Sequence, residues 1–415
     1  MEKVDKDLMN LLDDDGSIDD IISGAIKESS SKSAVKSNEK KVSVNIDYES
    51  FAKDNLSMVL SLEDCKKIIQ LAKSIPNFNE LANFIGVKKI ENGARIFVTN
   101  ISEYLSADFE VRNKTNVIPN GEFMVFPIDT ILKAFRSSRD AISIFKDENG
   151  QYRISVVGGN IPIENNSSVN EETYTNGLNI ENSEGTLTID MAEYKDIVTS
   201  LSGIANSAVS VQQKTIVMED GYAKTSFIRC FSRKRMSTNI SLVMRVTDIN
   251  IINRLLDKVT DKNITVYQNG TRRTYKIGNS LYSCLETKSF IQKYSEELID
   301  NVIGQGTRLE INLDDLKMLT GLLVTLKNTE STFIIKVVND NLVIETVING
   351  EDNSFELDMI RKNNVEFNGE LKLDTTVFHN LISNYGGDKI NILLNSDGMA
   401  IDTADKSSVI GAEII

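Results

Sequence analysis

The sequence has one histidine, His379, in 415 residues, which excludes any site built on two imidazole ligands, the HExxH metalloprotease pair included. Its three cysteines, Cys65, Cys230 and Cys284, form no CxxC spacing, so a thiolate zinc site is excluded too. Odd in number and scattered, they read as reduced thiols of a cytoplasmic protein rather than a disulfide framework. No apolar run approaches the ~18 residues a membrane span needs. The first residues, MEKVDKDLMNLLDDD, are acidic where a secretory leader is basic and then apolar. No GxxxxGK[ST] loop is present, and the GxG at Gly304 to Gly306 meets Leu309 where a dinucleotide fingerprint needs its third glycine. The residues therefore nominate no catalytic group, metal or cofactor. His379 follows the core position Phe378 on a helix, and no pair among the 60 Asp and Glu stands out from a solvated face.

What the chain does have is a repeat. A strand-ending apolar residue, a small polar residue and then a helical apolar stripe recur six times, beginning at Leu60, Phe126, Ile189, Val246, Ile311 and Leu373. The intervals are 66, 63, 57, 65 and 62 residues. The next residue is Ser61, Pro127, Asp190, Thr247, Asn312 or Asp374; five of these side chains can accept from the open amides of a helix start, and proline is tolerated there. Five places after each start come Cys65, Ile131, Tyr194, Ile251, Leu316 and Phe378, with apolar pairs such as Ile68 and Ile69 or Leu381 and Ile382 one turn on. The fourth copy fits better shifted by one, with Ile252, Leu255, Leu256 and Val259 inside.

Between the helices, runs 94–100, 152–157, 214–218, 263–268, 332–338, 341–347 and 389–395 alternate or are rich in β-branched residues. Turn signals punctuate them at 147–150, 219–221, 268–270, 339–341 and 395–398. The unit is thus strand, helix and a meander of about three strands, and two units make a domain of roughly 110 to 125 residues. The expected organisation is an α+β chain with an N-terminal extension at 1–54, an acidic stretch followed by a Ser/Lys-rich spacer. Domains follow at 55–165, 185–288 and 307–415, joined by linkers at 166–184 and 289–306.

The net charge of −14 argues against a nucleic-acid partner, but its distribution argues for one. Taking positions six, seven, ten and thirteen after each start as the outward face gives 24 sites. Eight are basic (Lys66, Lys67, Lys73, Lys133, Arg136, Arg139, Lys195 and Lys317), one is His379, and only Asp196 is acidic. The first domain supplies six of the eight; the shifted fourth helix adds Arg254 together with Asp257. Basic helix faces without interleaved aromatics suit contacts to phosphates that do not read sequence; the alternative is a solubilising lysine face. A further cluster, Arg233 to Arg235, is either a phosphate contact or a turn.

Three domains of two strand-helix-meander halves, with basic outward helix faces on an acidic body, resemble the bacterial-type DNA sliding clamp, the β subunit of the replicative polymerase. The likeness covers residues 55–415 and is strongest in the last domain, from Arg308 through STFIIKVVNDNLVIET to DKINILLNSDGMAIDTADKSSVIGAEII. The resemblance implies the DNA-clamp fold and a head-to-tail homodimer ring around double-stranded DNA. Such a ring is not an enzyme, carries no cofactor, and tethers DNA polymerase after a clamp loader has placed it. Phosphate contacts would come from Lys66, Lys67, Lys73, Lys133, Arg136, Arg139, Lys195, Arg254 and Lys317. It also implies a partner-peptide pocket between the second and third domains. Val409 and Ile410 match the two valines of the family's Val-Val-Met-Pro-Met tail, while Gly411 and Ala412 depart from it. Phe231 and Met236 flank a turn, Ser232 to Met236, that corresponds to the family's Asp-Gly-His-Arg-Leu.

Residues 1–54 have no counterpart in a typical clamp. Leu8, Leu11, Leu12, Ile21 and Ile22 lie in an acidic stretch that could fold on a partner, either the clamp's own pocket or a machine such as RNA polymerase; a plain acidic tail is the other reading. The extension and the Lys- and Asn-rich composition suit a bacteriophage-encoded clamp, DNA-associated in the cytoplasm of a bacterial host. A structural ring or virion component with no DNA inside is the competing function.

Overall fold

The computed structural model describes residues 58–412 apart from 92, 111–117, 139–140, 157–158, 165, 167–168, 182, 209, 211–212, 228, 257–260, 289–290, 292, 327–329, 340 and 361–366. The expectations for residues 1–54, and for Arg139, lie outside the described residues. The described residues form two compact units, one of residues 58–179 with 279–283, the other of 180–278 and 284–412.

The first unit runs β1 (Met58–Ser61), α1 (Leu62–Ser74), β2 (Phe84–Ile90), β3 (Gly93–Thr99), β4 (Tyr104–Glu110), β5 (Phe123–Pro127), α2 (Ile128–Ser137), β6 (Ala141–Lys146), β7 (Tyr152–Val156), β8 (Gly159–Pro162) and the short α3 (Glu171–Thr175). Its strands form a sheet β1-β6-β7-β8 and a set β5-β2-β3-β4, so each half gives its first strand to the other half's meander. Leu281–Ser283 pair antiparallel with Tyr104–Ser106 of β4.

The second unit holds two more copies. The first is β9 (Gly185–Asp190), α4 (Met191–Asn206), β10 (Thr215–Glu219), β11 (Tyr222–Phe227), β12 (Cys230–Arg235), β13 (Leu242–Arg245), α5 (Val246–Leu256), β14 (Asn263–Asn269) and β15 (Arg272–Ile277), followed by β16 (Ser280–Leu285), whose residues 280–283 are counted with the first unit. After α6 (Lys293–Gln305) the other copy follows. It comprises β17 (Thr307–Asn312), α7 (Leu313–Thr325), β18 (Thr332–Val338), β19 (Asn341–Ile348), β20 (Glu351–Asp358), β21 (Glu370–Asp374), α8 (Thr375–Ser383), β22 (Lys389–Asn395), β23 (Gly398–Asp402) and β24 (Lys406–Gly411). One sheet runs β13-β10-β11-β12-β24-β23-β22-β17, with β12 and β24 antiparallel from Cys230 opposite Ile410 to Lys234 opposite Lys406. A second sheet runs β21-β18-β19-β20.

All six expected strand-to-helix junctions are present, and four have the expected cap: Ser61, Asp190, Asn312 and Asp374 accept from amides two or three residues on, at 2.8 to 3.1 Å. Each such cap contributes about 1 kcal/mol. Pro127 stands before α2 without a side-chain bond. The fourth junction corrects the expectation, because Thr247 already lies inside α5. There the buried Asp248 carboxylate accepts from the Arg245 amide at 3.0 Å and pairs with its guanidinium, which does the work of a cap from within the first turn.

The hairpins also match the turn signals; at 219–222 the left-handed pair Asp220 (φ 53°) and Gly221 (φ 76°) makes the tight reversal between β10 and β11. The expected linker at 289–306 is the larger surprise. Most of it is the helix α6, whose Leu298, Ile299 and Val302 recur at helical spacing and are buried. No copy of the repeat contains this helix, so a search for the repeat passes over it.

Cys65, Cys230 and Cys284 are all buried, and burial pushes the thiols of Cys65 and Cys230 up to about 12. We expect no reaction of the native protein with a thiol-specific disulfide reagent, and release of three equivalents once urea unfolds it.

Candidate nucleic-acid interface and partner surfaces

In the first unit α1 and α2 lie side by side. The apolar stripe of α1 (Cys65, Ile68, Ile69, Leu71, Ala72) and that of α2 (Ile128, Ile131, Ala134) turn inward, so the bases between them turn out. Lys73, Lys133 and Arg136 are exposed; Lys66 and Lys67 are half-buried, with the Lys67 ammonium 2.7 Å from Glu63 Oε1 on the preceding turn. Such an exposed pair contributes well under 1 kcal/mol, so a phosphate can take its place.

The second unit has a row of helices in the order α5, α4, α8 and α7. Lys195 and Arg254 are exposed on it, as expected. Asp196, the one acid of the predicted stripe, is paired with the Lys234 ammonium at 3.0 Å, which offsets its charge. Lys317 differs from the expectation: it is half-buried and its ammonium donates to the main-chain oxygen of Tyr385 at 2.6 Å, so it holds the chain leaving α8. The outward side of α7 carries Asp314 and Asp315 and exposes Met318 (73%) and Leu322 (44%). Positive charge is therefore concentrated on α1 and α2, with two outlying bases on the second unit.

The four residues expected to wall a peptide pocket are buried and fall into different surroundings. Phe231 and Val409 are direct partners across the β12–β24 seam, both 0% exposed, and α6 covers them with Leu298, Ile299 and Val302. Ile410, on the opposite face, joins the core under α7 and α8. Met236 lies beyond the end of β12, its amide donating to Gly221. Ion pairs of Asp300 with Arg233 at 2.9 Å and of Glu296 with Lys224 at 2.8 Å tie α6 down. Gly411 stands where the resemblance has a methionine; a methyl there would meet Leu298 at 3.1 Å, so the helix occupies that space.

A polar layer joins the two copies of this unit. Lys406 of β24, 4% exposed, sends its ammonium to the main-chain oxygens of Ser200 at 2.9 Å and Asn384 at 3.3 Å. Burial pushes this ammonium down to about 8, with the nearby Lys234 adding to the effect. Sequence reading passed over Lys406 because one lysine in a Ser/Lys-rich strand carries no burial signal.

The sequence matches no family model and no curated protein. Solved structures do match. The sliding clamp of Bartonella birtlesii aligns over 87% of this chain and 100% of its own with a TM-score of 0.69 at 10% identity. The fold is that of the DNA sliding clamp. The polymerase III β subunit of Borrelia burgdorferi covers 86% of this chain and 99% of its own (TM-score 0.68, 14% identity). That of Streptococcus pyogenes covers 86% and 100% (0.68, 10%). The α+β clamp fold expected from the repeat is thereby established, at 10 to 14% identity.

Two stability predictions follow from this geometry. Ile299→Ala, in the helix over the seam, should cost about 2–4 kcal/mol in urea unfolding; a cost under about 0.5 kcal/mol would mean that α6 is not packed as described. For Lys406 the folded state sheds its proton near pH 8 while the unfolded chain holds it to about 10.5. The unfolded state therefore binds more protons in that window, and the group's contribution to stability rises from pH 8 to pH 10. The stability of the wild type minus that of Lys406→Met should grow over this range. Lys234, Asp405, Asp196, Cys230 and Tyr385 face the same ammonium and are retained in both proteins.

Proposed function

We propose that this protein is a DNA polymerase processivity factor, a ring that encircles duplex DNA without reading sequence and tethers polymerase to it. The observation that carries this is the order in which strands are left unpaired. In the second unit the third meander strand of one domain's first half pairs with the third meander strand of the next domain's second half, β12 with β24. By the same rule β20 needs β8, yet among the described strands both are sheet edges. A second copy placed head to tail supplies each with the other, and two such contacts close a ring. The acidic side chains of β20 (Glu351, Asp352, Glu356 and Asp358) suit an edge that must stay soluble until it meets its partner.

Within such a ring Lys66, Lys67, Lys73, Lys133 and Arg136, with Lys195 and Arg254, face the duplex. Weak contacts suffice because a closed ring is retained by topology, while the polymerase it holds gains effective concentration at the primer end. The ring performs no chemistry of its own; a clamp loader opens it. A structural ring without DNA draws its support from the exposed Met318 and Leu322 beside Asp314 and Asp315 on α7.

Loading onto nicked circular plasmid separates the two readings. The clamp should remain through gel filtration and be lost on linearisation. Neutralising Lys73, Lys133 and Arg136 to Gln should lower the amount loaded by about tenfold, as expected for a few lost phosphate contacts, while the dimer stays intact and rings already closed on circles are retained as in the wild type. Equal retention on circles and linear DNA, or none on either, would favour the structural ring.

A further inference from the structure

The joint between the two copies in the second unit is held by directional polar bonds laid beside an apolar core. Ile204 and Ala208 of the first copy enter the core of the second, a contact that tolerates small slides because it has no preferred direction. Beside it the geometry is fixed more tightly. Asn380 Nδ2 of α8 donates to Ser207 Oγ, just past α4, at 2.7 Å. Gly203 of α4 faces Asn384, where an added methyl would come within 2.8 Å of Asn384 Nδ2, an amide that donates to the Asn380 main-chain oxygen at 2.6 Å and would have to turn aside. Lys406 then ties three elements together: carried on β24, it donates to Ser200 on α4 and to Asn384 after α8, and lies 4.2 Å from the centre of the Tyr385 ring. The Tyr385 hydroxyl donates to Ser408, whose own hydroxyl is 2.6 Å from that of Ser232 across the seam.

A buried ammonium is an expensive way to join two domains when a leucine would bury more apolar surface. Its bonds are angular, however, and here two of them end on main-chain oxygens of different domains. We propose that Lys406 is a positioning residue that fixes the angle between the second and third domains, and so decides whether two chains can close into a ring. The inference rests on the clamp reading, since an angle error at this joint is carried to β20, the strand that must meet β8 of the next chain. Closure with two contacts at once leaves little tolerance for such an error.

The test uses the full-length chain as wild type, Lys406→Met, Gly203→Ala and Gly203→Ala with Asn384→Ala. Dimer dissociation is measured by analytical ultracentrifugation, lifetime on nicked circular plasmid by gel filtration, and folding by urea unfolding. Lys406→Met should unfold cooperatively, yet weaken the dimer and shorten its lifetime on circles by about tenfold or more, the cost of one lost set of charged hydrogen bonds. Gly203→Ala should do the same by displacing Asn384, whose main-chain oxygen holds Lys406, and adding Asn384→Ala should restore closure, which a merely destabilising change would not do. A folded Lys406→Met that dimerises within about twofold of wild type overturns the inference. If Lys406→Met does not fold, the Gly203 pair decides: closure unchanged in Gly203→Ala overturns it. A wild type that stays monomeric contradicts the clamp reading itself; small-angle scattering of the monomers then reads the joint, and an unchanged profile in the variants overturns the inference separately.

Discussion

Everything in this chain depends on backbone hydrogen bonds that no domain can satisfy alone. Each half-domain ends its meander on a strand with one edge open, and an open edge must be paired or protected. In the second unit β12 and β24 pair over five residue pairs, from Cys230 with Ile410 to Lys234 with Lys406. That seam buries Phe231 and Val409 on one side and Cys230 and Ile410 on the other, so it becomes the middle of two cores at once. The extra helix α6 exists to cover the first of these. The polar joint of Lys406 and Asn384 lies beside the second.

Charge is arranged on this frame rather than spread over it. The body is acidic overall, and the exposed strand β20 is among its most acidic segments. The helices α1 and α2 turn their lysines and arginine outward because their apolar stripes are committed to the sheets behind them. A surface of this kind attracts phosphates weakly and without reading bases. Weak contact is compatible with sliding, and topological enclosure makes strong contact unnecessary. On the second unit the same helix positions are less basic, and Lys317 is used to hold the chain after α8. The basic helix positions are therefore unevenly distributed between the units.

Much of the architecture is legible in the sequence because the repeat fixes it locally. A cap such as Ser61, Asp190, Asn312 or Asp374, followed by apolar residues at helical spacing, needs no knowledge of the rest of the chain. What escaped reading depends on distant partners. Thr247 looked like a cap until the buried pair of Arg245 and Asp248 moved the helix start. The segment 293–305 looked like a linker because its apolar residues, outside any repeat, are matched to a sheet face assembled from β12, β22, β23 and β24. Strand β20 is too polar for a strand signal, since its partner face and its edge are both set by neighbours. The residues expected to wall a peptide pocket were matched to a tail that this chain shares only at Val409 and Ile410, and Leu298 lies against Gly411, where that tail has a methionine.

The account stands on one claim: β20 finds in a second chain the partner that no described strand of its own chain provides. Hydrogen exchange of the amides of residues 351–358, followed across protein concentration, reads this directly. The account predicts slow exchange where the dimer predominates and fast exchange on dilution, with protection appearing together in residues 159–162. Fast exchange in β20 at every concentration, or protection unlinked to that of β8, would contradict it.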